Sequence, residues 1–279
     1  MKIIDKIKSF CLRNKYSLGG ECAKANEINL EWWKASVNIG DTLAEVVYKY
    51  MLGYYKLDPQ KVIEKTIHLN TVGSIIAIKN YDAVIWGSGL HCTTTINNLM
   101  RHRNYVKYDI RAVRGPITEG LLEAAGYKCS HIYGDPAIIM PLIYTPTNIK
   151  KEYNVSVVVH YSNLKTAKDL EESGYHIIDV HTNDYKYFID EICKSKLVIS
   201  SSLHGIILAE TYGVQAIFLR NGIENEEIKF YDWYFSTNRH SVLALDSIDE
   251  WENAVPMQLP DLDSMRRNLI ESFPKDLWL

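Results

Sequence analysis

The sequence predicts an α/β fold made of two Rossmann-like domains facing a cleft, and three observations carry that prediction. From Ile28 onward, short β-branched apolar runs alternate with helical stretches. The alternation restarts after Lys150-Lys151-Glu152, and several runs end in Gly- or Ser-rich turns of the kind that join a parallel strand to a helix. With 279 residues, 47% of them hydrophobic, the chain can bury one large or two medium domains. The expected division is an N-terminal unit over 1–148, whose residues 1–27 form an amphipathic helical extension. A second unit covers 149–255, and a C-terminal helix within 256–279 packs back on the first.

In chain order, residues 1–15 place Ile3, Ile4, Ile7, Phe10 and Cys11 on one helical face, with Lys2, Lys6, Lys8, Arg13 and Lys15 around the rest. Such a basic amphipathic helix either lies on anionic lipid or packs on the neighbouring fold. Gly19-Gly20 breaks it from the main body. Residues 28–33 read as the first strand, and 41–52 as a helix with Asp41 at or near its N-cap. The strand 82–86 runs into Gly87-Ser88-Gly89. The strand 109–113 leads to a helix started by Pro116 and stopped near Gly126. Residues 131–133 then enter Gly134-Asp135-Pro136.

In the second unit, strands are expected over 155–159, 175–180, 197–199 and 214–219, with helices over 164–173, 185–193 and from Ile206 to Gly213. After Pro260, the residues Leu262, Met265, Leu269, Ile270 and Phe273 share one helical face.

Composition excludes several functions. A net charge of −3 offers no basic face for nucleic acid, so an anionic partner has to be met by a local pocket. The five cysteines are odd in number and contain no C-x-x-C pair, which fits reduced thiols in a cytoplasmic protein. No apolar run approaches the ~20 residues of a spanning helix, and Asp5, Lys6 and Lys8 interrupt any signal-peptide pattern. Gly87-Ser88-Gly89 lacks the G-x-G-x-x-G spacing of a dinucleotide loop, and there is no P-loop. No H-x-x-x-H, H-E-x-x-H or cysteine cluster accompanies the carboxylates, so no metal is expected.

What remains is a set of polar strand ends. Ser200, Ser201, Ser202, His204 and Gly205 sit where a strand meets the positive end of a helix dipole and its free N–H groups, a corner suited to an anion. Arg111 and Arg114 flank the run into Gly115-Pro116, where a guanidinium can fork onto a carboxylate or phosphate. Asp41 and Asp135 each read equally well as a reactive carboxylate and as a helix cap or turn residue. His160 ends the first strand of the second unit, at the same rim as His204. Of Trp32 and Trp33, one indole is available to stack on a sugar.

The ordered set Asn38-Ile-Gly-Asp41, His68-Leu69, Val72-Gly-Ser-Ile75, Val84-Ile-Trp-Gly-Ser-Gly89, Arg111-Ala-Val-Arg-Gly-Pro116, Tyr133-Gly-Asp-Pro136, His160-Tyr161 and Ser200-Ser-Ser-Leu-His-Gly205 resembles the polysaccharide pyruvyltransferase family over about residues 30–220. The resemblance implies a two-domain fold like the glycosyltransferases of the B type, phosphoenolpyruvate as donor, no further cofactor, and a pyruvate ketal on a sugar of a surface polysaccharide or its lipid-linked precursor as product. It implies donor contacts from Arg114 and from Ser201, Ser202, Leu203 and Gly205, with His204 as the catalytic group. Arg111, Ser88, Gly40, Asn38 and His160 are further donor candidates, and Trp33 and Tyr161 acceptor candidates. Some members carry an arginine where this chain has Ser202, a gap that Arg111 or His160 is placed to fill.

Ketal formation needs an acid for the donor's methylene carbon and a base for a sugar hydroxyl. His204 is expected as acid or phosphate partner, and Asp41 or Asp135 as base. Two rival readings are a nucleotide-sugar glycosyltransferase, with Glu210 on the ribose, and a non-catalytic partner in polysaccharide assembly docked through the N-terminal helix. Localisation is expected to be cytoplasmic, with peripheral contact at the inner face of the membrane through residues 1–15.

Overall fold

The computed structural model of the protein describes residues 14–63, 67–223 and 225–279. The expected amphipathic helix at the N-terminus lies outside the described residues except for its last two positions.

The first sheet contains β1 (Ile28–Glu31), β2 (Ile67–Asn70), β3 (Ala83–Trp86) and β4 (Tyr108–Ala112), side by side in that order and all parallel. Its helices are α1 (Ile39–Tyr54), α2 (Thr93–His102) and α3 (Pro116–Ala124). β3 is buried at every position, as a strand covered on both faces must be, and its sequence Ala-Val-Ile-Trp is apolar throughout.

β2 and α2 are absent from the sequence reading, for different reasons. β2 is equally buried but reads Ile-His-Leu-Asn. Its two polar side chains find internal partners: His68 Nδ1 lies 2.7 Å from Glu31 Oε1, and Asn70 Oδ1 accepts from the Tyr81 hydroxyl at 3.2 Å, although Asn70 Nδ2 has no hydrogen-bond partner among the described residues. α2 has three threonines and two asparagines and buries only Thr95 and Leu99, too little apolar periodicity to announce a helix.

The second sheet contains β5 (Tyr153–Val158), β6 (His176–Ile177), β7 (Ser195–Ser200), β8 (Gln215–Leu219) and β9 (Ala244–Leu245), also all parallel, in the order β6-β5-β7-β8-β9. Its helices are α4 (Leu164–Glu172), α5 (Tyr185–Lys194), α6 (Leu203–Thr211) and α7 (Ile228–Ser236), and α8 (Asp263–Glu271) follows. The chain leaves β5 toward one edge and β7 toward the other. That reversal opens a crevice at the carboxyl ends of these two strands, where wound α/β folds bind ligands.

Two helices start earlier than their sequence suggests, and both shifts matter for the site. α1 begins at Ile39, with Asn38 as N-cap accepting from the Gly40 N–H at 3.1 Å. Asp41 is therefore not the cap; it sits in the first turn with its carboxylate free for other work. α6 begins at Leu203 after Ser202, which puts His204 and Gly205 inside the helix instead of in a preceding turn. A Cβ on Gly205 would lie 2.3 Å from Ser200 Oγ, so only glycine lets the helix close down on β7.

α6 is buried from Leu203 to Glu210. It packs on β7 and β8 and also on α1 and the short 3₁₀ helix Pro136–Leu142, so one apolar core runs through both sheets. α8 closes the first sheet: the Trp86 indole donates to the Leu269 carbonyl at 2.9 Å and the Tyr55 hydroxyl to the Ile270 carbonyl at 2.8 Å. Among the described residues no helix is long and apolar enough to cross a membrane.

Candidate active site

The carboxyl ends of both sheets open onto one cavity of about 400 Å³, a size suited to a small-molecule substrate. Trp33, Asn38 and Asp41 line it after β1, Gly73 and Ser74 after β2, and His91 and Cys92 after β3. From the second sheet come His160 and Tyr161 after β5, and Ser202, Leu203 and His204 after β7, with Lys229 reaching in from α7.

His204 is held from two sides. Asp135 caps the 3₁₀ helix Pro136–Leu142 through Oδ1, which accepts from the Ala137 N–H at 3.0 Å. Its other oxygen, Oδ2, lies 3.5 Å from His204 Nε2, and both atoms are buried with no hydrogen-bond partner among the described residues. On the other side the imidazole rests on Gly40, where a Cβ would come within 2.1 Å of Nδ1. Any other residue at position 40 would move the ring.

Asp41 shares the cavity with this pair. Burial lifts its carboxyl from an ordinary 3.8 to about 6, even though the charges of His204, Lys229 and His91 draw it back down. A carboxyl titrating close to neutral pH can both take and return a proton.

A second group of charges gathers on the opposite wall. His91 Nε2 lies 3.1 Å and His160 Nε2 3.4 Å from Glu226 Oε2, and the Lys229 ammonium pairs with the same oxygen. The His160 N–H donates to Ser201 Oγ at 2.9 Å, and its Nδ1 lies 2.8 Å from Ser162 Oγ, which turns Nε2 toward Glu226. Burial pushes the Glu226 carboxyl up, yet the bonds from His160 and His91 and the charge of Lys229 hold it well below the usual carboxylate range. Burial likewise lowers Lys229, and Glu226 draws it partly back.

Of the residues singled out from the sequence, His204, Asp41, His160, Ser202, Leu203, Asn38, Trp33 and Tyr161 line the cavity. Gly40, Gly205, Ser201 and Asp135 support it from behind. Ser88 is one layer further back, its hydroxyl donating to the Gly73 carbonyl at 2.8 Å.

The two arginines are placed differently from the sequence expectation. Arg114 is fully buried behind the wall, with Nε on Asp232 at 3.1 Å, Nη2 on the Leu90 carbonyl at 2.9 Å, and Nη1 on Ser74 Oγ. Its donors are taken up by the protein, so it braces Ser74 instead of facing the cavity. Arg111 forks onto Asp109 and Asp276, away from the cavity altogether. Glu210, the ribose candidate of the glycosyltransferase reading, is buried and committed to the Arg239 guanidinium and the Trp233 indole.

The sequence does not single out Ser74, His91, Lys229 or Glu226 as site residues. The available signal was Lys229, a lone cation in the aromatic helix Ile-Lys-Phe-Tyr-Asp-Trp-Tyr-Phe-Ser.

The polysaccharide pyruvyl transferase family matches residues 72–222, just over half of the chain. The chain belongs to that family. It is therefore a transferase, with a pyruvyltransferase role in polysaccharide biosynthesis that takes a pyruvate donor and a polysaccharide acceptor. The pyruvyl transferase match takes in Ser74, His91, Asp135, His160 and His204, and leaves Asp41, Trp33 and Lys229 outside.

Among curated proteins, the uncharacterised protein L143 of Acanthamoeba polyphaga mimivirus is 29% identical over 74% of this chain and 73% of its own length. The succinoglycan biosynthesis protein ExoV of Rhizobium meliloti is 25% identical over 72% of this chain and 62% of its own. A solved structure of an uncharacterised Klebsiella pneumoniae protein superposes with a TM-score of 0.52 at 14% identity, covering 88% of this chain and all of the other. That likeness bears on the fold alone, and the fold is α/β with parallel sheets.

Proposed function

We propose that the protein transfers pyruvate from phosphoenolpyruvate onto two hydroxyls of one sugar in a surface polysaccharide or its lipid-linked precursor, forming a cyclic ketal and releasing phosphate. No cofactor takes part in this reading. The two sheets then act as the halves of a glycosyltransferase-B-like enzyme working in the cytoplasm, with the N-terminal segment meeting the inner face of the membrane.

One observation supports the reading most directly: His204 and Asp41 share a single cavity, with Asp135 behind the imidazole. His204 protonates the methylene carbon of the donor, leaving an oxocarbenium-like centre at the carbon bearing the phosphate ester. A sugar hydroxyl adds there while Asp41 takes its proton. A second hydroxyl of the same sugar then displaces phosphate and closes the ring; its proton leaves with the phosphate, and the proton on Asp41 returns to His204. Asp135 faces Nε2 and stabilises the charged imidazole. Trp33 and Tyr161 offer ring faces to the acceptor.

The test is incubation with phosphoenolpyruvate and a panel of galactosyl, mannosyl and glucosaminyl acceptors, read by phosphate release and by mass spectrometry for an added carboxyethylidene group. His204→Ala is expected to lower turnover by about 10²–10⁴ with the fold intact. Near-full activity in that variant would remove His204 as the acid. Calorimetric binding of a nucleotide sugar, with none of phosphoenolpyruvate, would replace the reading with a glycosyltransferase.

A further inference from the structure

We infer that His91, His160 and Lys229 form a seat for a phosphate or carboxylate group, that the protein fills this seat with its own Glu226 carboxylate, and that a substrate anion binds by displacing Glu226. The identity of that anion as the donor's rests on the function proposed above; the seat itself does not.

The three nitrogen-bearing side chains come from three separate elements, the loop after β3, the loop after β5, and α7, yet all point at one oxygen of Glu226. All three line the cavity, whereas Glu226 does not. Lys229 is 6% exposed, and a buried ammonium needs a counter-charge. Glu226 supplies one from the connection between β8 and α7, outside any regular element, with its side chain 21% exposed. A carboxylate so placed can swing out to water without disturbing the core.

Lys229 holds Glu226 closely, whereas the two imidazole contacts are loose enough to be exchanged. The two imidazole distances of 3.1 and 3.4 Å exceed the roughly 2.7–2.9 Å of a close charge-assisted bond. A phosphomonoester dianion brings more charge and three acceptor oxygens to the same three donors. The two anions also exclude each other, since like charges about 4 Å apart at a protein surface repel by several kcal/mol.

Glu226 thus makes the seat selective. A single carboxylate gains nothing by replacing another, whereas a dianion does, so the seat prefers phosphate esters to simple carboxylates. Ser202 and the N-terminus of α6 line another part of the same cavity, which leaves them for a second anionic group on the same ligand.

Inorganic phosphate is the probe, titrated calorimetrically into the wild-type protein, Glu226→Gln and Lys229→Met. Glu226→Gln is expected to bind phosphate about tenfold more tightly, the effect of ~1.4 kcal/mol of lost competition, and to bind pyruvate where the wild type does not. Lys229→Met should bind neither. Equal or weaker phosphate binding by Glu226→Gln would show that Glu226 orders the three side chains instead of competing for them, and would overturn the inference.

A second measurement uses the wild type alone: saturating phosphate should speed hydrogen exchange of the amides over 225–228, and unchanged or slower exchange there would also overturn it. Phosphate binding as expected, with no reaction of phosphoenolpyruvate on any acceptor, would remove the proposed function and leave the seat standing. Ketal formation with Glu226→Gln binding phosphate no better would do the reverse.

Discussion

Asp41 is a charge the fold carries at a cost, and replacing it should separate stability from activity. Its carboxyl is lifted from an ordinary 3.8 to about 6, chiefly by burial. The folded state therefore holds a proton that the unfolded chain has released over that interval, and stability falls as pH rises through it. Below about pH 4 both states are protonated and nothing is lost; above about pH 6 both are ionised and the full cost applies.

At 1.36 kcal/mol for each pH unit, the lift corresponds to about 3 kcal/mol, and water reaching a carboxyl at a cavity wall screens part of it, leaving about 2 kcal/mol. Asp41→Asn keeps the shape and removes the charge, and the α1 cap is unaffected because Asn38 provides it. Urea denaturation of wild type and variant should coincide near pH 4 and diverge until about pH 6. The variant is then expected to be more stable by about 2 kcal/mol at pH 7 to 8, or about 4 °C in Tm, while pyruvyl transfer is lost. A difference independent of pH, or a variant less stable at pH 8, would refute the reasoning that burial of this charge sets its proton affinity.

Two further outcomes follow from the same geometry. Asp135→Asn should lower turnover by about a hundredfold with little change in the donor KM, because Asp135 acts through the His204 imidazole and has no place at the donor; steady-state kinetics that moved KM alone would contradict this. Arg114→Met should destabilise the protein by about 3–5 kcal/mol by leaving the buried Asp232 carboxylate without its ion-pair partner. Pairing it with Asp232→Asn, which removes the charge and keeps an oxygen for the Ile117 and Thr118 N–H groups, should restore part of the loss in chemical denaturation, and an additive double variant would show the two residues to be independent.

The strands and the turns that end them were legible wherever a β-branched run met a glycine or serine turn, as at 82–89 and 195–205, although the helix after the first of these was not. β2 escaped because its polar residues find partners far off in sequence: His68 on Glu31, and Asn70 on a tyrosine from the next loop. The helix starts were displaced by two or three residues, since several polar residues in a row compete as caps and only packing chooses among them.

His204, Asp41, His160, Trp33 and Tyr161 could be found because each sits at a strand end that the pattern marks. The burial of Arg114 was not legible, because its partner Asp232 lies 118 residues away and nothing local shows where its guanidinium is held. Lys229 and Glu226 were hidden for the converse reason: they belong to a stretch whose aromatic density reads as core.

Asp232 has a consequence for how the molecule opens. Carried on α7, it accepts from the N–H groups of Ile117 and Thr118 and from the Thr118 hydroxyl at the start of α3, besides gripping Arg114. One carboxylate thus rivets a helix of the later half of the chain to a helix and a loop of the earlier half through direct hydrogen bonds. A wide jaw-like swing of the two sheets would have to break this rivet, and heating should therefore melt both sheets in one step.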